Sequence, residues 1–444
     1  MAPRPSLRRP ALACGVGAAS LVLGALFPVV GLAGALAIAL ARRSAGAPAT
    51  SRLARALGTT ALATVVAWVV VLSWPVRPIA RGASPVVRVG SGEASAGVSV
   101  VAGSLFPWSE RTDVVRVAAP ASSSLTVRVV ADADATVHLD RAAALVVDHE
   151  PGREIVPGEG GALVAVTRTS TAGRARASDG GDVAAHVGAI DGRAPPPTSI
   201  RGADGEPVET LDLDFERPPG ERLAVLVTAR TTPFAEEAFA RYVARMGQGM
   251  TLLMSRVTTE DCTERCRREV WDDEIGRLRV PLTVTVTGEG GGAKASSLAP
   301  LGSAAMRTVA VPVDVGGAGR VRVSLAATPR FWEVDRVLLA AVEAAPASEV
   351  AAAEVTTSRG AAAPELAAAD DRRRVVVDPG TEVALTFPLP PPAPGAERTV
   401  LLRVRAYYTV PNGGHWGLDP AYIFAHRSGL TSLPRFSASL PGAR

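Results

Sequence analysis

Lysine and aromatic residues are scarce in this chain, and acidic residues are missing from its first part. The 444 residues include a single lysine, Lys294, among 47 basic side chains, and aromatic residues make up 4%. No acid precedes Glu93, whereas residues 1–81 contain nine arginines. Removing these nine leaves 38 basic against 43 acidic residues beyond position 81, a net charge of −5. This part offers little attraction to a phosphate backbone, so nucleic acid is not a predicted partner.

The common catalytic motifs are also missing. None of the five histidines lies in an HExxH pattern, no serine lies in GxSxG, and no CxxC redox pair occurs. Asp212 and Asp214 share one strand face and could offer oxygen ligands to calcium, although a solvated strand face explains them better. We therefore predict a protein that is not an enzyme and that holds no cofactor and no metal. A catalytic site assembled from distant residues stays open as the alternative.

Two long runs, residues 11–41 and 56–76, carry no charge. About 20 apolar residues cross a bilayer as a helix, so the second run fits one span. Arginines flank the first run on both sides, and the positive-inside rule favours both arginine clusters in the cytoplasm. The sequence therefore predicts a helical hairpin over 11–41, turning near Pro28, and a third span. Two crossings and a cleaved signal peptide are the competing interpretations, but no small-x-small cleavage site ends the first run.

Beyond residue 81 the pattern changes to short β-branched runs separated by Gly, Pro and Asp, which is typical of antiparallel sandwiches or barrels. Thr232 followed by Pro233 predicts the start of a helical insertion over 232–273. The fold class predicted is a membrane anchor of two to three α-helices plus a mainly-β, jelly-roll-like antiparallel β-sandwich region. The predicted domains are a membrane anchor (1–81), a β-rich domain (82–206), a β-sandwich with the helical insertion (207–345), and a linker with a C-terminal β region (346–444).

Cys262 and Cys266 lie four residues apart on a predicted short helix over 260–271, which places them on one face. A disulfide between them is the favoured interpretation in an oxidising compartment. Free thiols and a metal site are the alternatives, but two ligands do not make a zinc site.

Aromatic residues are concentrated near the C-terminus. Tyr408 and Trp416, with His415 beside the tryptophan, could form a stacking platform for sugar rings. Ordinary packing of the C-terminal segment against the sheet is the competing and favoured interpretation.

A second candidate rim lies at residues 331–335. Strand alternation places Phe331, Glu333 and Asp335 on one face and Trp332 on the other. The two acids could line a binding rim, or act as the scattered carboxylates of a hydrolase. Trp332 is predicted to be a core anchor.

Six segments beyond residue 81 occur in the order VHLDRAAALVVDHEPG, DGGDVAAHVGAIDG, LDFERPPGERLAVLVTAR, LAPLGSAAMRTVAVPVDV, RFWEVDRVLL and DPGTEVALTFPLPPPAPGAERTVLLRVRAYY. Together they resemble uncharacterised exported bacterial proteins related to the C-terminal regions of ASPIC/UnbV-type β-propeller proteins. The calcium-binding FG-GAP repeats of such proteins are absent, so calcium binding is not implied.

Two further resemblances concern other parts of the chain. Residues 211–342 resemble galactose-binding-like β-sandwiches, which implies a fold and not a ligand. The N-terminal part contains SLVLGALFPVVGLAGALAIALARR and ALATVVAWVVVLSW. Through these segments it resembles a small bacterial membrane hairpin module.

The predicted function is that of a binding module attached to the cytoplasmic (inner) membrane. Residues 11–76 contact the lipid bilayer, and the remainder faces the periplasm or the cell exterior. The predicted partner is an envelope glycan or a membrane or envelope protein. The alternative is a hydrolase that acts on envelope polymers.

Overall fold

The computed structural model describes residues 85–89, 97–104, 110–120, 122–132, 135–246, 280–288, 292–317, 319–368, 371, 373–409, 425 and 430–440. Nearly all of them belong to one unit, formed by Pro78–Ala244, Thr251–Gly413 and Phe424–Arg444. Within this described part, no helix is both long and apolar enough to cross a bilayer. The predicted spans 11–41 and 56–76, the predicted helix over 260–271, Cys262, Cys266, His415 and Trp416 lie outside the described residues.

The described chain is mainly antiparallel β structure, as predicted. Its first strands are β1 (Val86–Val89), β2 (Val98–Ser99), β3 (Arg111–Val117), β4 (Ser124–Val130) and β5 (Thr136–His149). The middle strands are β6 (Ile155–Pro157), β7 (Leu163–Thr171), β8 (Arg174–Ala177), β9 (Ile200–Arg201), β10 (Pro207–Glu216), β11 (Leu223–Thr231), β12 (Leu282–Gly288), β13 (Ala293–Leu298), β14 (Arg307–Val313), β15 (Arg320–Ala327) and β16 (Trp332–Ala344). The last strands are β17 (Ser348–Ala351), β18 (Glu354–Thr357), β19 (Gly360–Ala362), β20 (Val375–Val377), β21 (Glu382–Pro388) and β22 (Glu397–Thr409).

The described helices are short and few. They are α1 (Ala184–Val187), α2 (Pro233–Met246) and α3 (Leu433–Ala438), with 3₁₀ turns at Glu159–Gly161 and Pro364–Ala367.

Sheets A and B form the first β-sandwich, which combines the beginning and the end of the described chain. Sheet A has the strand order β19-β18-β21-β4-β1-β2, and sheet B has the order β17-β5-β22-β3 with β20 beside β5. Alternation along β4 points Leu125, Val127 and Val129 into the core. These side chains pack in one buried cluster with residues of sheet B such as Val146 and Leu402.

Sheets C and D, formed by β6 to β16, are inserted between β5 and β17 and make a second body. Sheet D has the order β13-β12-β15-β10-β8, with β9 beside β10, and sheet C has the order β14-β11-β16-β7-β6. A parallel bridge between Gly158 and Ala310 joins the two edges of sheet C, which therefore curls into a small barrel. All five strands contribute side chains to its interior, which are Val156, Val164, Val166, Ala224, Leu226, Ala310, Leu338, Ala340 and Val342.

The two bodies meet through an apolar patch and a buried ion pair. Leu145 and Leu401, on the outer face of sheet B, pack against Ile155 and Leu163 of the second body. Arg307, at the start of β14, donates two hydrogen bonds to Asp113 of β3, at 2.9 and 2.5 Å. This ion pair connects the barrel to the first sandwich.

Helix α2 begins where the sequence predicts. Thr232 precedes it, and its side-chain oxygen accepts a hydrogen bond from the Ala235 amide at 3.0 Å, the geometry of an N-cap. Ala238 and Tyr242 are fully buried on its inner face. This part of the predicted insertion is confirmed.

Strand pairing crosses the predicted domain boundaries at 206/207 and 345/346. β7 and β8, before the first boundary, pair with β16 and β10 beyond it. β22 pairs with β5 over thirteen residues, although the whole second body separates them in the chain. The sheets therefore divide the described chain into an outer sandwich and an inserted body, and not into consecutive blocks.

Candidate binding surface on sheet B

Half of the outer face of sheet B is covered by the inserted body, and the other half carries a polar and aromatic cluster. Because opposite residues in antiparallel strands share a face, the register Val376–His138–Tyr407 sets these three side chains side by side across β20, β5 and β22. Their chain neighbours Val137 and Tyr408 point inward instead. Val376 is 43% exposed, so this row reaches the surface.

His138 and Tyr407 form an aromatic stack. Their ring centroids are 4.4 Å apart and the ring planes differ by 10°. The guanidinium carbon of Arg374 lies 5.3 Å from the Tyr407 ring centroid, within cation–π range. Burial lowers the pKa of His138, and the Arg374 charge lowers it further, against an opposing effect of Glu110. This shift favours the uncharged imidazole at neutral pH. Tyr407 is only 7% exposed, so the partly buried His138 ring is the more accessible part of the stack.

A row of charged groups borders the stack. The Glu110 carboxylate, which is 8% exposed, lies 3.2 Å from Nε of Arg374 and 3.6 Å from Nε of Arg405. Arg405 also lies 3.5 Å from the fully buried Asp140. A β-bulge creates this arrangement, because Arg405 pairs with Arg141 and Ala406 with Leu139, which leaves Asp140 as the extra residue.

We name these six residues, Glu110, His138, Asp140, Arg374, Arg405 and Tyr407, the outer-face cluster. The side chains of Arg374 and Arg405 are 21% and 32% exposed, so each is partly accessible to solvent. Guanidinium groups donate several hydrogen bonds in a fixed planar geometry. The cluster can therefore hold a flat ligand edge by hydrogen bonds while an apolar ligand face lies on the ring surface.

Tyr408, a predicted ligand contact, lies in the core of the first sandwich. It is only 4% exposed, and its hydroxyl accepts a weak hydrogen bond from the Gly103 amide at 3.4 Å. Burial raises the pKa of Tyr408 to about 12. This placement favours the packing interpretation, and the neighbouring Tyr407 takes the outward position.

A β-bulge interrupts the alternation that the sequence predicts for Glu333 and Asp335, and only Asp335 is buried. The register shifts so that Val334 pairs with Ala229 and Arg336 with Thr228, and Asp335 is the extra, bulged residue. Glu333 pairs with Arg230 at 2.6 Å. Asp335 is 1% exposed and accepts a hydrogen bond from the Gly192 amide at 3.1 Å.

Trp332 is a core anchor, as predicted. It is 7% exposed, and its indole N–H donates to the Val280 carbonyl at 2.9 Å.

Asp212 and Asp214 form a solvated strand face on sheet D. Asp214 pairs with Arg322 at 2.9 Å, and Asp212 accepts from Ser324 at 2.6 Å. Among the residues that the structure describes, no group of three or more His, Cys, Asp or Glu side chains has the geometry to hold a metal ion.

Comparisons with known proteins add little to this geometry. No family model and no curated protein matches the chain. One solved structure, titled "Structure of infectious bursal disease virus Gx strain", is similar with 10% identity over 80% of this chain and 86% of that chain. Its TM-score is 0.13, and it carries no argument about fold or function. The resemblance to ASPIC/UnbV-type proteins stays a prediction.

Proposed function

We propose that this chain is a membrane-anchored, extracytoplasmic binding module and that its outer-face cluster binds an envelope glycan. The observation that carries the proposal is the His138–Tyr407 stack beside the partly exposed Arg374 and Arg405. The anchor is the predicted segment 11–76. Within this proposal the first sandwich is jelly-roll-like, and the likeness of residues 211–342 to galactose-binding-like sandwiches stays a prediction.

A glycan fits the outer-face cluster because the cluster offers an aromatic ring and hydrogen-bond donors, which match the apolar face and the hydroxyl edge of a sugar ring. Pyranose rings carry an apolar face of C–H groups, which packs on an aromatic ring, and an edge of hydroxyl groups, which accept hydrogen bonds. The imidazole of His138 supplies the ring surface, and Arg374 and Arg405 supply the donors. The stack is fixed in the sheet before the ligand arrives, which lowers the entropic cost of binding.

Binding is favoured over catalysis by the state of the candidate carboxylates. Hydrolysis of a glycosidic bond needs two carboxyl groups that flank one bond, roughly 5–9.5 Å apart. Glu333 is neutralised by Arg230, and Asp335 is buried on another face. Glu110 and Asp140 are both bordered by Arg405. The arginine partners of Glu333, Glu110 and Asp140 therefore favour binding over the hydrolase alternative.

Co-sedimentation of the purified full chain with insoluble peptidoglycan sacculi tests the proposal. We expect His138→Gln and Arg374→Gln each to weaken binding about tenfold, equivalent to roughly 1.4 kcal/mol. Arg322→Gln is the matched control, because Arg322 is also an ion-paired arginine on a sheet surface but lies on sheet D.

Equal losses in Arg374→Gln and Arg322→Gln would show that charge alone drives binding, and would overturn the assignment of the site. A chain that does not sediment with sacculi or with soluble envelope polysaccharide would overturn the ligand class. Release of reducing sugar ends during the incubation would favour the hydrolase instead.

A further inference from the structure

Residues 388–394, which we name the proline segment, connect β21 to β22 and contain five prolines in seven residues, Pro-Leu-Pro-Pro-Pro-Ala-Pro. Residues 390–394 are all exposed. Proline fixes φ near −65° and pushes the preceding residue to an extended conformation, so such a run is restricted to the polyproline II region. The segment thus presents a row of pyrrolidine rings to solvent.

The proline segment is held at its base by a pair of side chains from the adjoining strands. Arg398 donates to the carbonyl oxygens of Pro390 and Pro391, at 2.5 and 3.0 Å. The same guanidinium binds both carboxylate oxygens of Asp148, at 2.7 and 2.8 Å, and Asp148 accepts from the Ala393 amide at 3.2 Å. We name this pair the Arg398–Asp148 clasp.

Both backbone N–H groups of the proline segment are already used. The Ala393 amide binds the clasp, and the Leu389 amide donates to the Ser123 carbonyl at 2.8 Å. Leu389 is 8% exposed and packs in the core of the first sandwich. The segment is therefore fixed in place with its rings outward, which is the state in which a polyproline ligand loses little entropy on binding.

The surface at the foot of the proline segment is acidic. The clasp is neutral, since it contains one guanidinium and one carboxylate. Next to it, Arg153 lies 2.8 Å from Glu150 and 3.2 Å from Glu343, and Glu397 accepts from the Gly152 amide. Three carboxylates against one guanidinium leave a net charge of −2, which complements a basic partner surface.

We propose that the proline segment is a docking element for a protein partner whose groove is lined with aromatic side chains and rimmed with basic ones. Aromatic grooves recognise extended proline runs by packing rings against the pyrrolidines. This inference is independent of the glycan site, because Arg398–Asp148 and His138–Tyr407 lie nine residue positions apart along β22, near opposite ends of its pairing with β5.

Binding of purified WW and EVH1 domains, two kinds of aromatic-groove module, to the full chain tests the proposal by calorimetry. We expect the triple variant P390A/P391A/P392A to weaken binding by at least about tenfold. The matched control is P195A/P196A/P197A, which removes three consecutive prolines from another partly exposed loop and should leave the affinity unchanged. A WW domain with lysines added at its groove rim should bind more tightly at low salt than the unmodified domain.

A second variant tests whether binding needs the fixed conformation of the proline segment or only its five prolines. Arg398→Gln keeps all five prolines but opens the clasp, and should weaken binding by about three- to tenfold at an unchanged melting midpoint of the remaining fold. The proposal would be overturned if neither domain bound the full chain. Equal losses in the two triple variants, or full affinity in Arg398→Gln, would overturn it as well.

Discussion

Replacing Arg307 by alanine removes the buried ion pair between the two bodies, whereas the hydrogen bond from Arg111 to the Pro300 carbonyl stays. The guanidinium donates to both Asp113 oxygens and to the carbonyl oxygens of Ser99 and Val114, the latter two at 3.1 Å each. The arginine side chain is 7% exposed and the aspartate side chain 12%. Solvent therefore cannot replace these bonds without opening the junction.

The expected loss of unfolding free energy follows from this burial. Removing one partner of a buried ion pair typically costs about 3–5 kcal/mol, because the other charge stays behind in a medium of low polarity. Arg111 lies near Asp113 and also lowers its pKa, so it compensates part of the charge. We therefore expect a loss near the lower end, about 3 kcal/mol.

Urea unfolding followed by tryptophan fluorescence measures this loss. Arg322→Ala is the control, since its partly exposed ion pair should contribute no more than about 1 kcal/mol. The double variant Arg307→Met with Asp113→Leu should recover only part of the stability, because it removes both charges of the pair but leaves the buried Arg111, whose charge Asp113 also offsets. A loss below about 1 kcal/mol in Arg307→Ala, or a double variant as unstable as the single one, would refute the reasoning.

Four further measurements test individual side chains. Burial alone would raise the pKa of Asp113, but Arg307 holds it below 3.8. The wild-type protein should therefore be more stable than Asp113→Asn above pH 4. This difference in stability should disappear as the pH falls through the lowered pKa of Asp113. Thr232→Ala should cost about 1 kcal/mol in the same assay, and Thr232→Ser should restore most of it. The His138 imidazole should titrate below 6.5 by NMR, and a value at or above 6.5 would contradict its desolvation. Tyr408 should ionise at about pH 12, which is measured as the difference in absorbance at 295 nm between the wild type and Tyr408→Phe. Because the unfolded chain ionises this tyrosine near pH 10, the stability of the fold should fall as the pH rises from 10 toward 12.

The class of fold was predictable because β-strand signals are local. Alternation of apolar and polar residues marks β4 and β10, and short β-branched runs mark β11 and β20. The N-cap Thr232 with Pro233 marks the start of α2 for the same reason, since a cap depends only on the next few residues. Strand β13 carries no such signal, because its Ala-Lys-Ala-Ser-Ser sequence is held by pairing with β12 and not by intrinsic preference.

The candidate site could not be predicted in the same way. His138 and Tyr407 are neighbours through strand pairing alone, and neither lies in a recognisable motif. The aromatic pair Tyr407 and Tyr408 was visible in the sequence, but which ring points outward depends on the strand's register and burial. The packing of the sheets decides that Tyr408 faces the core.

The sequence by itself determined a mainly-β chain, a capped helix, an uncharged N-terminal segment and a proline-rich turn, since each depends on residues that are close together. Tertiary structure alone decided that a second body is inserted into the first sandwich, and that Arg398 meets Asp148 across 250 residues of chain. Bulges at Asp140 and Asp335 also changed which charged groups share a face. Alternation along the sequence specifies that a strand has two faces. Its pairing partners and bulges are set by distant segments, and these decide which residues each face contacts.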